Sequence, residues 1–233
     1  DRKLIPGQYT DPPHPNIDKL FTALGGGRGA NLALFSRGRS ECMRVRGKLN
    51  RYRESTNINA YMDIVKGFWN FLNNPAIIIL DDFVFPLLEE GQREWKMLNI
   101  MKWVIAKRRS AGSAGSSSTS NVSQNLPMTA DGLPEDSRIK YLFKLATGQI
   151  YGVPTSIDFT RAEAELQESG ERLRSLTRVP GPRNEPEIAR LRRFVTHDFV
   201  KLLQEYIFPL FTGTTEYLKL SNLFTALNKL NSS

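Results

Sequence analysis

The chain has one cysteine, Cys42, and two histidines, His14 and His197, among 233 residues. A single thiol excludes an internal disulfide and every multi-cysteine zinc site, and it fits a reducing compartment, so the expected setting is intracellular, cytoplasmic or nuclear. Two histidines leave no His-rich metal site and no serine–histidine–acid constellation. Long apolar runs are also missing. The longest, Ala76 to Leu80, stops at Asp81 and Asp82, far short of the ~20 residues that cross a bilayer, so no membrane span is expected. No apolar signal region opens the sequence, and with no starting methionine it reads as an excerpt of something longer. Residues 25–30 spell GxGxxA, but the stretch before them is helical and no acidic residue follows about 20 positions on, so a dinucleotide site is rejected. The Lys-Ser/Thr ending of a P-loop is absent as well. Neither a cofactor nor a metal is expected.

Charge of one sign is what the chain has in excess, +8 net with a pI near 9.7. It is concentrated in residues 27–54, where Arg28, Arg37, Arg39, Arg44, Arg46, Lys48, Arg51 and Arg53 are opposed only by Glu41 and Glu54. Like charge at this density repels itself, and its usual purpose is a polyanion. The segment opens with Gly25-Gly26-Gly27-Arg28-Gly29, a lead able to pass close to phosphates. Phe35 and Tyr52 lie among the cations, and each reads either as a ring for stacking unpaired bases or as a core anchor. Arg190, Arg193, His197 and Lys201 repeat at helical spacing opposite an apolar face, and read either as a second basic stripe or as a solvated face. Asp81, Asp82, Glu89 and Glu90 suggest no magnesium site; they read as a solvated face, or as acids that neutralise the basic segment by packing against it. Arginines near Cys42 would lower its pKa, but with no histidine partner in view it reads as structural.

The remaining pattern is helical. Helices are expected over Asn16–Leu24, from a cap at Thr56 or Asn57 to Leu72, over Pro75–Glu90, Gln92–Arg109, Pro134–Tyr151, Thr160–Arg178, Pro186–Phe211 and Thr215–Leu230. The helix with Tyr61, Ile64, Val65, Phe68, Trp69, Phe71 and Leu72 reads as core, and the polar one from Thr160 as surface. Residues 1–15 hold Pro12, Pro13 and Pro15 and read as an extended arm. Residues 110–132 are rich in Ser and Gly, with too little apolar surface to offset ordering, and read as a mobile loop or linker. Asn121-Val122-Ser123 spells a glycosylation acceptor, which an intracellular chain would not use. The expectation is a mainly α, irregular domain of about seven to nine helices, with an N-terminal lobe 1–109 and a C-terminal lobe 133–233 packed as one unit.

Two echoes invite a duplication. Leu20-Phe21-Thr22-Ala23-Leu24 recurs at 223–227, and Phe83-Val84-Phe85-Pro86-Leu87-Leu88 is echoed by Tyr206-Ile207-Phe208-Pro209-Leu210-Phe211. Their intervals differ while repeats keep a fixed period, so chance similarity between apolar helices is the preferred reading.

Arg192 and His197 form an Arg-x4-His spacing that resembles the motif of the HEPN ribonucleases. That resemblance implies an all-helical RNase acting as a dimer, with Arg192 on the phosphate and His197 as general acid or base. Against it stands His197 as a member of the basic face, and the function expected is binding without catalysis. RNA or single-stranded DNA is the expected partner, held through phosphates as in a nucleoprotein or RNP-assembly domain. The alternative is a protein-interaction scaffold in a larger assembly, with protein partners or self-association.

Overall fold

The computed structural model describes residues 14–26, 30–54, 62–114, 128–178, 181–212 and 215–232, and for 111–114 the backbone only. The proline arm before His14, the glycine lead with Arg28, the cap at Thr56 or Asn57, Asn121-Val122-Ser123 and most of the Ser/Gly-rich segment lie outside the described residues.

Among those described there are ten α-helices and no strand, a mainly α multi-helix fold as expected. In chain order they are α1 Pro15–Leu24, α2 Leu32–Arg53, α3 Met62–Leu72, α4 Pro75–Ile79, α5 Arg93–Ala114, α6 Arg138–Ala146, α7 Ser156–Arg178, α8 Glu185–Val195, α9 Asp198–Leu202 and α10 Glu216–Ser232. α4 runs on through a π turn, Leu80–Val84, into a 3₁₀ turn, Phe85–Leu88, and α9 does the same through Leu203–Ile207 and Phe208–Leu210. Proline explains both. Pro86 and Pro209 lack the N–H an α-helix needs, and their rings crowd the carbonyl four residues back. The turn before each widens, with Phe85 N–H reaching Leu80 O and Phe208 N–H reaching Leu203 O.

The described chain forms two compact units, one from the residues up to Gly91 with those of α10, the other from Gln92 to Thr212. In the first, Ile17, Leu20 and Phe21 of α1 meet α2, whose inner face is Phe35, Gly38, Cys42, Val45 and Leu49. A Cβ at Gly38 would stand 3.1 Å from Leu20 Cδ2 and 3.3 Å from Ile17 Cδ1, so glycine sets the closeness of that crossing. α10 packs on α2, α4 and the π turn, bringing Phe224 to 5.9 Å from Phe21, ring to ring. In the second unit α5 packs on α6 and on the π turn after α9, and α7 packs on α6 and α8.

The units are two copies of one design. Ile17, Leu20 and Phe21 correspond to Ile139, Leu142 and Phe143, and Phe35, Gly38 and Cys42 correspond to Phe159, Ala162 and Leu166. Phe68 and Phe71 correspond to Leu191 and Phe194, and the stretch Ile77 to Phe85 to that from Val200 to Phe208. Met97, Ile100, Met101 and Val104 of α5 correspond to Leu220, Leu223, Phe224 and Leu227 of α10. Polar details repeat as well. Glu41 Oε2 accepts from the N–H groups of Asn16 and Ile17, opening α1; Glu165 Oε2 accepts from Arg138 N–H, and its carboxylate takes Ile139 N–H too, opening α6. Asn31 accepts from Leu34 N–H at the start of α2, and Thr155 Oγ1 from Asp158 N–H at the start of α7. The last helix of each copy packs in the other unit: α5 follows the first copy in sequence and belongs to the second unit, and α10 belongs to the first.

Several expectations change accordingly. The echo between Phe83–Leu88 and Tyr206–Phe211 falls at the same offset, in the same π-to-3₁₀ stretch of each unit; the one between 20–24 and 223–227 joins α1 to α10, which hold different places. The helix expected over Pro186–Phe211 breaks at Thr196-His197, where His197 caps α9. That expected over Pro134–Tyr151 is confined to α6. α3 is core on one face alone, Phe68 and Phe71, while Met62 and Trp69 face outward and Ile64, in line with that core face, is exposed. α7 buries Phe159, Ala162 and Leu166 and leaves the rest of its length to solvent.

Candidate nucleic-acid interface

The basic segment is one 22-residue helix, α2. At 100° per residue, its inner face divides the cations into two rows. Arg39, Arg46 and Arg53, seven residues apart, run along one flank, and there Arg39 pairs with Glu89 and Arg46 with Asp81. Asp81 and Glu89 thus neutralise part of the basic segment, the second of the two roles expected of the four acids. Arg37, Arg44, Lys48 and Arg51, spaced by seven, four and three, run along the other flank over about 21 Å of helix. All four are exposed. Arg44 lies 3.4 Å from Glu41, whose other oxygen is engaged at α1; Arg37, Lys48, Arg51 and Arg53 make no ion pair among the described residues. Arg37, Arg44, Ser36 and Ser40 line a shallow hollow of about 340 Å³ with Asn16 and Glu41.

The two aromatic candidates separate. Phe35 is fully buried and belongs to the core, so it stacks no ligand. Tyr52 is half-buried, its ring stacked 6.1 Å from that of Phe68. Cys42 is buried, and desolvation, with Asp81 and Glu41 adding to it, pushes its thiol far above the ordinary range. Arg46 opposes this, as the arginines near Cys42 suggested, but is outweighed.

The second stripe does not assemble as one helical face, because α8 ends at Val195. Arg190 lies 3.9 Å from Glu187, which pairs more closely with Arg172 at 2.6 Å, and Lys201 lies 3.3 Å from Asp198. Arg193 is exposed without an ion pair among the described residues. His197 is half-buried, not an exposed member of a stripe: Nδ1 accepts from Phe199 N–H at 3.1 Å and Nε2 lies 3.0 Å from Thr129 O. An Nδ1 that accepts and an Nε2 that donates describe the neutral ring. Burial depresses its pKa, against weaker opposing effects from Thr129, Asp198 and Asp131. Both nitrogens of the residue that would act in the helical-ribonuclease reading are engaged in holding the backbone.

Among the described residues no group of three or more His, Cys, Asp or Glu is placed to hold a metal ion. Among the described residues no single helix is long and apolar enough to cross a membrane; one pair, Met62–Leu72 with Pro75–Leu88, reaches that length and apolarity only together and is bent by 58°.

Trp69 was missed in the sequence, where it read as core; its side chain is 52% exposed, and Ile64 and Met62 on the same helix are 40% and 39% exposed. The signal available was the α3 register itself: Phe68 and Phe71 define the inner face, and Trp69 is one residue, 100°, off it. No family model, curated protein or solved structure matches the chain.

Proposed function

We propose that the chain binds RNA or single-stranded DNA through its phosphates, with Arg37, Arg44, Lys48 and Arg51 of α2 as the contacting row. The observation that carries this reading is the contrast between α2 and its counterpart α7. Both open with a side-chain cap, and Phe159, Ala162 and Leu166 of α7 are buried where α2 buries Phe35, Gly38 and Cys42, so packing over that half asks the same of each. α2 has seven cations and one acid, a net +6, whereas α7 has four cations and five acids, a net −1. The fold therefore has no need of the charge on α2, and self-repulsion makes it costly to keep. Phosphates offset that cost, and release of their counterions drives association. Arg39 and Arg46, each tied to an acid, secure α2 to the rest of its unit instead.

A salt series of fluorescence anisotropy on a labelled single-stranded RNA tests this. Binding is expected to weaken log-linearly with salt. Changing Arg37, Arg44, Lys48 and Arg51 together to Gln should shallow the slope by up to about 3, at about 0.7 per single-strand phosphate contact. Unchanged slope in that variant refutes the assignment.

A second reading, a protein-interaction scaffold, has its own observation. In the second unit Trp95, Tyr151, Val153 and Ile157 are all exposed, and Trp95 and Val153 line a hollow of about 610 Å³ with Pro154 and Thr155. An apolar cluster of this kind marks docking surfaces. Association through it would persist in high salt, which separates it from the phosphate row.

A further inference from the structure

We infer that the outward face of α3, centred on Trp69, is a platform on which unpaired bases of a single strand stack while the α2 row holds the phosphates; this rests on the phosphate-binding reading above. The position of α3 is the first ground. Phe68 stacks on Tyr52 of α2, one turn beyond Lys48 and next to Arg51. Phe71 stacks on His14 at 3.8 Å, and Arg44 acts electrostatically on His14. Together these contacts lay α3 along the flank of α2 that bears Arg44, Lys48 and Arg51, the open row, and not along the flank tied to Asp81 and Glu89.

The second ground is again the internal copy. α8 has the same inner face, Leu191 and Phe194 in place of Phe68 and Phe71. Outward, where α3 exposes Met62 and Trp69, α8 exposes Glu185 and Arg192. The same scaffold closes with charged residues there, so packing does not require the apolar face of α3. Water disfavours such a face unless something covers it.

The third ground decides the occupant. Cations spaced along one helix, with an exposed indole on the helix packed against it, are the two elements a flexible single strand needs, charge for its backbone and a ring face for its bases. A duplex presents phosphates but keeps its bases stacked inside, so it can use the row and not the platform.

The test compares the whole chain with Trp69→Ala and Trp69→Phe, after circular dichroism shows that the helix content of each is unchanged. Three 20-mer probes are used: a single-stranded DNA, the same sequence as a duplex, and an abasic strand with equal phosphates. Trp69→Ala should weaken the single strand by about five- to a hundredfold, the range of one stacked base. It should leave the abasic strand, the duplex and the salt slope unchanged. Trp69→Phe should keep most of the affinity while removing the tryptophan quenching that accompanies binding in the wild type. Equal loss on the abasic strand, or no loss on any probe, refutes the platform and leaves phosphate binding standing. Failure of all three probes to bind at low salt refutes both, and binding of vesicles rich in anionic lipid under those conditions would assign the same face to a membrane surface instead.

Discussion

Removing one side chain near the C-terminus should open the N-terminal unit. Phe224 of α10 is 2% exposed and packs in the first unit, its ring 5.9 Å from that of Phe21. Phe224→Ala deletes a ring from a filled core, which costs about 3–5 kcal/mol, a large share of the roughly 5–15 kcal/mol that holds a domain folded. At 1.4 kcal/mol per factor of ten, the open form of the first unit becomes about a hundred to a few thousand times more populated. Amide hydrogen exchange reads this directly, as protection lost in α1, α2 and the stretch from Ala76 to Phe85 while α6 to α9 keep theirs. The one cysteine supplies a second reading. Cys42 is buried in α2 with its thiol pKa pushed up, so a thiol reagent reaches it only when the unit opens, and labelling should accelerate by the same factor. Protection lost in α6 to α9, with α1 and α2 unaffected, would place α10 with its own copy and refute the exchange. Equal loss throughout would show that the two units unfold as one.

Two other perturbations follow from the same geometry. His14 is buried against Phe71 with no partner for either ring nitrogen among the described residues, and desolvation lowers its pKa in spite of Glu41 and Asp18. A lowered folded pKa gives stability that is present above the unfolded value, about 6.5, and lost as pH falls through the folded one. His14→Phe should therefore flatten the loss of stability between pH 7 and 5 in denaturant titrations; an unchanged profile counts against the burial of His14. Glu41→Ala leaves the N–H groups of Asn16 and Ile17 without their acceptor and should destabilise the first unit by about 1–3 kcal/mol, and Glu165→Ala should act likewise on the second. A loss below 0.5 kcal/mol in both, measured by chemical denaturation, would show that these carboxylates do not hold the helix starts.

The basic density around α2 was plain in the sequence, because charge is a property of residue identity and survives any arrangement. Its division into a tied row and an open row was not, since that depends on where Asp81 and Glu89 fall, 35 and 50 residues from their partners. That Phe35 took the core role of its two readings, and that Trp69 left the core it was assigned to, has a related reason. An aromatic residue fits a core or a ligand equally well in composition, and a rotation of 100° along the helix decides between them. The internal likeness escaped because the two halves share burial and not identity. Intervals of 122, 124 and 123 residues between equivalent positions (Ile17 to Ile139, Phe35 to Phe159, Phe71 to Phe194) blur a fixed period, and the matching run at 20–24 and 223–227 pointed elsewhere.

What the residues determined alone is local: apolar spacing that makes helices, Asn31, Asn74 and Ser137 that start them, prolines that widen the turns before 86 and 209, and the charge of α2. These effects act within a few residues, where the chain has no choice of neighbour. Which helix closes which core, which cations stay free and which apolar face stays bare were decided by tertiary packing. α5 and α10 share four buried positions, Met97, Ile100, Met101 and Val104 against Leu220, Leu223, Phe224 and Leu227, so the helical pattern of neither names the core it fills.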